Sequence, residues 1–92
     1  TRPTRLRDVD LPLVGMTLRV NGRVVSTGAG AACLGNPVSA VAWLANKFGE
    51  FGRVLRAGEV ILSGALGPVA PVKAGDHVEV SIGRLGGTWA RF

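Results

Sequence analysis

The stretch that decides the fold is LVGMTLRVNGRVVSTG, residues 13–28. Apolar side chains occupy every second position of its first half: Val14, Met16, Leu18 and Val20. A period of two is typical of a β-strand with one apolar face. Asn21 and Gly22 accept the positive φ angles of a type I′ turn, so residues 23–28 are predicted to return as the partner strand.

The residues that follow predict a close-packed connection and then a helix. Small residues fill 28–35 (GAGAACLG), which favours a strand or crossover packed tightly beneath another element; the spacing of a phosphate-binding loop is missing. Asn36 is a good helix cap and Pro37 suits the first helical position. We expect a helix from Pro37 to about Phe48, ended by Gly49. Its apolar stripe comprises Val38, Val41, Leu44, Ala45 and Phe48.

The last forty residues predict β-structure with an internal echo. The turns RAGE at 56–59 and KAGD at 73–76 share one pattern, in which the acid is expected to accept backbone amide hydrogen bonds. Residues 60–62 (VIL) are apolar throughout, as in a strand covered on both faces. Residues 78–82 (VEVSI) alternate and predict one wet face, with residues 88–92 as their hairpin partner.

These elements predict a mainly β fold with one α-helix, in the α+β class. We expect five or six strands in a mixed sheet with the helix packed across it. Residues 1–12 are interpreted as a lead-in segment because Pro3 and Pro12 interrupt regular structure, so ordered structure is expected from about Leu13. The chain is thus divided into this lead-in and a single folded unit, residues 13–92.

Composition excludes several classes of protein. The chain has 92 residues, 47% of them apolar, which argues against disorder, and its single cysteine excludes a disulfide scaffold. The net charge of +5 is scattered rather than clustered, so no nucleic-acid partner is expected. No apolar run reaches the roughly 20 residues of a membrane span, so neither a membrane nor a location outside the cytoplasm is expected. The chain begins at Thr1 and holds few acids, which suggests a piece of a larger protein.

Candidate catalytic side chains are few. His77 follows Asp76 at a turn. An exposed turn histidine is a simpler interpretation of this position than a general base. Cys33 has no histidine at a spacing typical of a nucleophile pair and is expected to be buried. Asp8 and Asp10 form an acid-x-acid pair in a flexible setting, so no metal site is predicted.

The segment ILSGALGPVAPV, residues 61–72, is the part of the sequence that is most typical of a binding site. It places Ser63 and Gly64 at the end of an apolar run and then turns without a polar loop. Such a site offers backbone amides and a hydroxyl to a ligand carboxylate or enolate. A simple turn is the alternative interpretation.

Several motifs, in order, carry a resemblance to a known family. They are TGAGAACLGNP at 27–37, AVAWLAN at 40–46, RAGEVILSGALGPVAPVKAGD at 56–76 and the closing glycine-rich hairpin. Over residues 9–92 the chain resembles the C-terminal part of bacterial 2-keto-4-pentenoate (2-hydroxypenta-2,4-dienoate) hydratases, in the fumarylacetoacetate hydrolase superfamily. The resemblance implies a β-roll that is incomplete in these residues.

The same resemblance implies an activity. Such an enzyme adds water to 2-hydroxypenta-2,4-dienoate to give 4-hydroxy-2-oxopentanoate, in the meta-cleavage catabolism of aromatic compounds. Its substrate is a small 2-oxo or 2-hydroxydienoic acid, and its cofactor is Mg²⁺ or Mn²⁺. The resemblance also implies that the enzyme is a homo-oligomer. A metal of this kind stabilises the negative charge that develops on an enolate.

The resemblance also divides the site residues. The family's metal-binding E-x-E pair, a further acid and its catalytic lysine lie upstream of the matching region, and no E-x-E occurs here. The catalytic residues are therefore unknown, no metal ligand is assigned, and the chain by itself is expected to be inactive. The substrate-binding residues that it implies are Ser63, Gly64, Ala65 and Leu66. Many relatives have histidine where this chain has Asn36, which we interpret as a helix cap.

Two alternatives stay open. One is 4-oxalocrotonate decarboxylase, a sister enzyme with the same fold and metal. The other is a non-catalytic fragment or assembly module, favoured by the missing acids and by the small core expected of a short chain.

Overall fold

The computed structural model describes residues 3–92. Its regular elements, in chain order, are β1 (Gly15–Val20), β2 (Arg23–Ala29), α1 (Pro37–Glu50), β3 (His77–Ile82) and β4 (Gly86–Arg91). Three short 3-10 turns accompany them, at Leu6–Asp8, Leu11–Leu13 and Gly30–Ala32.

The four strands form one sheet in the order β2-β1-β3-β4. All three pairings are antiparallel. The prediction of a mainly β fold with one helix is confirmed. Within residues 3–92 the sheet has four strands rather than five or six, and it contains no parallel pair, so it is not a mixed sheet.

The first hairpin forms as the alternation predicts. Asn21 has φ +50° and Gly22 φ +81°, the left-handed conformations of a type I′ turn, and Val20 pairs with Arg23 across it. The register shifts by one residue between Leu18 and Arg19, which marks a β-bulge.

One face of the sheet is apolar and the other is polar. Met16 pairs with Ile82, and Leu18 with Val80, so these side chains share a face. The pairing of Arg19 with Glu79 falls on the opposite face and explains the wet side of β3. The core is small: among the described residues, the buried hydrophobic side chains are Val14, Met16 and Cys33.

Helix α1 begins as predicted and ends later. The Asn36 side chain accepts a hydrogen bond from the Val38 amide at 3.0 Å, which caps the first turn. Gly49 does not end the helix, because the left-handed residue that a helix end requires is Gly52, with φ +69°. The amide of Arg53 then donates back to the Phe48 carbonyl, closing the last turn.

The packing of the helix differs from the expectation. Its main contact is with the 3-10 turn Leu11–Leu13, not with the face of the sheet. The loop of residues 64–70 lies beside the apolar face instead and forms an open groove with it. Val41, Leu44 and Phe48 are half-buried, Ala45 is exposed, and Trp43 is 60% exposed.

The lead-in segment is more ordered than predicted. It contains two 3-10 turns before Val14, and the Gly30 amide donates to the Val14 carbonyl at 2.9 Å. A Cβ on Gly30 would overlap the carbonyl of Leu11, so the second turn lies directly against the end of β2. Pro12 is accommodated because a 3-10 turn accepts proline near its start.

The apolar run at 60–62 is not the buried strand that composition suggested. Val60 is 87% and Leu62 94% exposed, and Ile61 is half-buried. The segment has no strand partner within residues 3–92, because it pairs with neither of the two edge strands of the sheet, β2 and β4. A strand exists only where its backbone groups find partners.

The two echoing turns fold alike, as predicted. Arg56 donates its amide to Glu59 Oε2 at 3.0 Å, and Lys73 donates its amide to Asp76 Oδ2 at 3.0 Å. Gly58 and Gly75, with φ +89° and +91°, take the positive-φ position of each turn.

Asn21 joins the first hairpin to the start of β3. Its Nδ2 donates to Asp76 Oδ1 and its Oδ1 accepts the His77 amide, both at 2.9 Å. Asp76 is buried, and the hydrogen bonds from the Lys73 amide and Asn21 hold the pKa of its carboxyl below the ordinary value. Within residues 3–92 no helix is long and apolar enough to cross a membrane.

This junction predicts an acid-sensitive contribution to stability. A carboxyl whose folded-state pKa is lowered stabilises the fold above its unfolded pKa, and that stability is lost as pH falls through the folded pKa. Asp76→Asn should therefore unfold at lower urea near neutral pH, since one amide cannot accept both hydrogen bonds. Its urea midpoint should also change less than the parent's between about pH 6 and pH 3.

The matched control is Asp8→Asn. The Asp8 carboxylate is exposed, and its ion pair with Arg7 Nε, at 3.9 Å, is long and contributes little to stability. It should keep the parent's pH dependence. An Asp76→Asn variant with the parent's pH slope would contradict the role of the junction.

Candidate functional site

The loop of residues 63–70 is seated on β2 by contact between backbones. A Cβ on Gly28 would overlap the carbonyl of Leu66, and one on Gly67 would stand 2.5 Å from the Thr27 carbonyl oxygen. Real Cβ atoms do not approach so closely, so both positions need glycine. The prediction of a tightly packed connection around residue 28 is confirmed.

Two hydrogen bonds from buried side chains hold the loop on either side of this contact. Ser26 Oγ donates to the Pro68 carbonyl at 2.7 Å, and Cys33 Sγ donates to the Ser63 carbonyl at 2.9 Å. Ser26 and Cys33 are each 6% exposed, so water competes little for these bonds. Cys33 is buried as expected, and its role is to position the loop.

Gly64 adds a third constraint beside Cys33. Its φ of +120° lies in the region that favours glycine, and a Cβ there would be 3.3 Å from Cys33 Sγ. Gly64 is therefore a position that disfavours any side chain, and the loop bends two residues later, at Leu66 and Gly67.

Three of the four residues implied as substrate-binding line a common groove. Gly64, Ala65 and Leu66 form part of its wall, and the groove has a volume of about 370 Å³. Its floor is the apolar face of the sheet: Met16, Leu18, Val80 and Ile82. Ser63 is half-buried at the start of the loop and is not among the lining residues.

The loop presents unused hydrogen-bonding groups. Within residues 3–92, the amides of Gly64, Ala65 and Leu66 and the hydroxyl of Ser63 make no hydrogen bond. Adjacent free amides suit a carboxylate or an enolate oxygen, and an apolar floor suits a short carbon chain.

The acidic residues do not gather into a metal site. In the part of the chain that the structure describes, no three histidine, cysteine or acidic side chains lie close enough to hold a metal ion. Asp8 is exposed near Arg7, whereas Asp76 is engaged by backbone and Asn21. These residues do not fit the divalent metal that the resemblance implies.

His77 is placed differently from the expectation. It is the first residue of β3 and half-buried, rather than an exposed turn residue. Its ring lies 5.2 Å from the Trp89 ring, centroid to centroid, on the polar face. His77 is not among the residues that line the apolar groove.

Sequence reasoning missed the residues that position the loop. The sequence patterns place Ser26 in a strand and Gly67 in a turn, and they predict close packing at Gly28 without indicating the segment that packs on it. Both segments, residues 26–28 and 66–68, contain glycine. Their contact was not predictable, because it joins residues about 40 positions apart in the sequence.

The fold is that of an α+β protein, and its groove has the size of a small-molecule site. The family follows from comparison with known proteins: the family model described as "Fumarylacetoacetate (FAA) hydrolase C-terminal" matches residues 2–92. The chain belongs to this family.

Curated relatives and solved structures agree with the family. A 2-keto-4-pentenoate hydratase of Paraburkholderia xenovorans (strain LB400) is 54% identical over 98% of this chain. The TodF product hydratase of Pseudomonas putida (strain F1) is 50% identical over 98%. The structure of 4-oxalocrotonate decarboxylase from Pseudomonas putida G7, complexed with magnesium and adipate, is 45% identical, with a TM-score of 0.90 over 95% of this chain.

The chain spans about a third of the length of these relatives. It covers 34% of each of the two hydratases and 33% of the decarboxylase chain. A second structure of that decarboxylase is complexed with calcium and acetate. A divalent cation therefore accompanies both of these structures.

The backbone contact predicts a sharp difference between two glycines. Gly28→Ala should lower the free energy of unfolding by about 3 kcal/mol or more, because the new methyl group overlaps the Leu66 carbonyl and the loop must lift. Gly15→Ala, in β1, meets nothing within 4 Å and should change it by less than about 1 kcal/mol.

Urea denaturation of both variants measures the difference. Equal effects of the two substitutions would contradict the seating of the loop on β2.

Proposed function

We propose that this region serves a metal-dependent hydratase that adds water to 2-hydroxypenta-2,4-dienoate, giving 4-hydroxy-2-oxopentanoate. The observation that carries the proposal is the 54% identity to a 2-keto-4-pentenoate hydratase over 98% of the chain. The loop that would contact the substrate lies inside the matched region and is held by buried hydrogen bonds.

We assign substrate binding to Ser63, Gly64, Ala65 and Leu66. The free amides of the last three residues would donate to the carboxylate or 2-oxo oxygen of the substrate, and the Ser63 hydroxyl would donate beside them. The apolar floor of the groove would lie along the diene carbons. This chain's contribution is thus binding and orientation.

The cofactor in this proposal is Mg²⁺ or Mn²⁺, held by residues outside this chain. A divalent cation is present in both decarboxylase structures, which supports the class of cofactor. The acids of residues 3–92 do not form a site for it, so we assign no metal ligand here.

The wider setting is part of the same proposal. A hydratase of this kind would act in the cytoplasm, in the meta-cleavage catabolism of aromatic compounds, and as a homo-oligomer. Its partner would be a small 2-hydroxydienoic acid.

The second candidate is a 4-oxalocrotonate decarboxylase. The decarboxylase structure shares the fold at a TM-score of 0.90, but its identity of 45% is lower than the 54% and 50% of the two hydratases. The small core supports the third possibility, a non-catalytic module.

A chimera tests the proposal. The matched third of the Paraburkholderia xenovorans hydratase is replaced by this chain, and the purified protein is assayed with Mg²⁺ and with Mn²⁺. We expect turnover of 2-hydroxypenta-2,4-dienoate within about tenfold of the parent hydratase, because roughly half of the residues exchanged are identical and a tenfold change is only 1.4 kcal/mol.

The same chimera is assayed for release of CO₂ from 4-oxalocrotonate, and the parent hydratase is the control in both assays. A folded chimera that releases CO₂ and does not hydrate the dienoate would favour the decarboxylase. A folded chimera without either activity would contradict both enzyme assignments.

A further inference from the structure

The turn of the first hairpin contains the asparagine that is chemically most labile in this chain. Of the three asparagines, Asn21 is the one followed by glycine, whereas Pro37 and Lys47 follow the other two. Glycine has no side chain to shield its backbone nitrogen, so that nitrogen can attack the preceding carboxamide. Asn21 and Gly22 are both exposed, and water therefore reaches the turn.

The reaction at such a pair is deamidation, and its co-reactant is water. The Gly22 nitrogen bonds to Cγ of Asn21, the Cγ–Nδ2 bond breaks, and Nδ2 leaves as ammonia with the proton of the Gly22 amide. Water then opens the resulting succinimide at one of its two carbonyls. The product is aspartate or isoaspartate, so an amide has been exchanged for a carboxylate.

In the folded chain both polar atoms of the Asn21 side chain are engaged. Nδ2 donates to Asp76 Oδ1 and Oδ1 accepts the His77 amide, both at 2.9 Å. The backbone amide of Asn21 also donates to the His77 carbonyl, at 2.8 Å. Ring closure requires the carboxamide to turn over the Gly22 nitrogen, which releases both side-chain bonds. Deamidation therefore has to follow an opening of this junction.

The product cannot rebuild the junction. A carboxylate at position 21 has no proton to donate to Asp76 Oδ1, which is itself an acceptor. Asp76 is buried, so two carboxylates would face each other over the 2.9 Å that Nδ2 and Oδ1 now span. Isoaspartate would also add a backbone carbon to a two-residue turn whose geometry sets the pairing of Val20 with Arg23.

We propose that Asn21 is a deamidation site that the bonds to Asp76 and His77 protect. Its conversion breaks the link between the first hairpin and the start of β3. Strand β1 lies between β2 and β3, so the modification weakens the middle of the sheet. An opening of the junction that is long enough for ring closure thus becomes irreversible.

Peptide mapping by mass spectrometry tests the protection. The chain is incubated in native buffer and in denaturing guanidinium chloride at one pH and temperature, and aspartate and isoaspartate are quantified. Asn21 should convert at least about tenfold more slowly in native buffer, because only molecules with an open junction react. In the denaturant Asn21 should convert faster than Asn46, the internal control. Equal rates for Asn21 in the two conditions would overturn the proposal.

Urea denaturation of two variants tests the consequence. Asn21→Asp carries the deamidated side chain and should unfold at a lower urea concentration than the parent. Asn21→Asp with Asp76→Asn exchanges the two side chains. The amide at position 76 then donates to the carboxylate at position 21 and still accepts the Lys73 amide, so most of the lost midpoint should return.

The double variant keeps the test decisive where Asn21→Asp alone does not fold, because the exchanged pair should fold. An Asn21→Asp chain as stable as the parent would overturn the proposal. A double variant no more stable than Asn21→Asp would overturn it as well, since the loss would then not arise at the bond between these two side chains.

Discussion

The close approach of two backbones is the constraint on which the rest of the site depends. Gly28 lies under the Leu66 carbonyl and Gly67 lies under that of Thr27, with no side chain between β2 and the loop. Because the two backbones are in direct contact, the distance between the loop and β2 is fixed. Ser26 and Cys33 then fix its two ends by hydrogen bonds.

The fixed loop explains how a small core supports a site. Few side chains are fully buried, and the apolar face of the sheet is only partly covered. The order of the groove comes instead from backbone contacts and from the junction of Asn21 with Asp76, which aligns β1 and β3. The floor, made by β1 and β3, and the wall, made by the loop, are therefore positioned by different interactions.

Local patterns predicted the hairpins, the helix cap and the twin turns, because each depends on residues within a few positions of one another. Asn21 and Gly22 determine their turn, and Asn36 caps its own helix. The exposure of residues 60–62 was not predictable. Their apolar composition indicates that burial would be favourable, but it does not indicate which segment would cover them. Close packing at Gly28 was predictable from its small neighbours, but its contact with Leu66 and Gly67 was not, because the two segments lie about 40 positions apart in the sequence.

The measurement that tests the central claim most directly is the steady-state kinetics of Ser63→Ala in the chimeric hydratase, with Ser81→Ala, an exposed serine of β3, as the matched control. Loss of a hydrogen bond to a charged substrate should raise KM for 2-hydroxypenta-2,4-dienoate by about tenfold or more, whereas Ser81→Ala should leave it unchanged. Unchanged KM and kcat in the Ser63→Ala enzyme would contradict the assignment of substrate binding to the Ser63 hydroxyl.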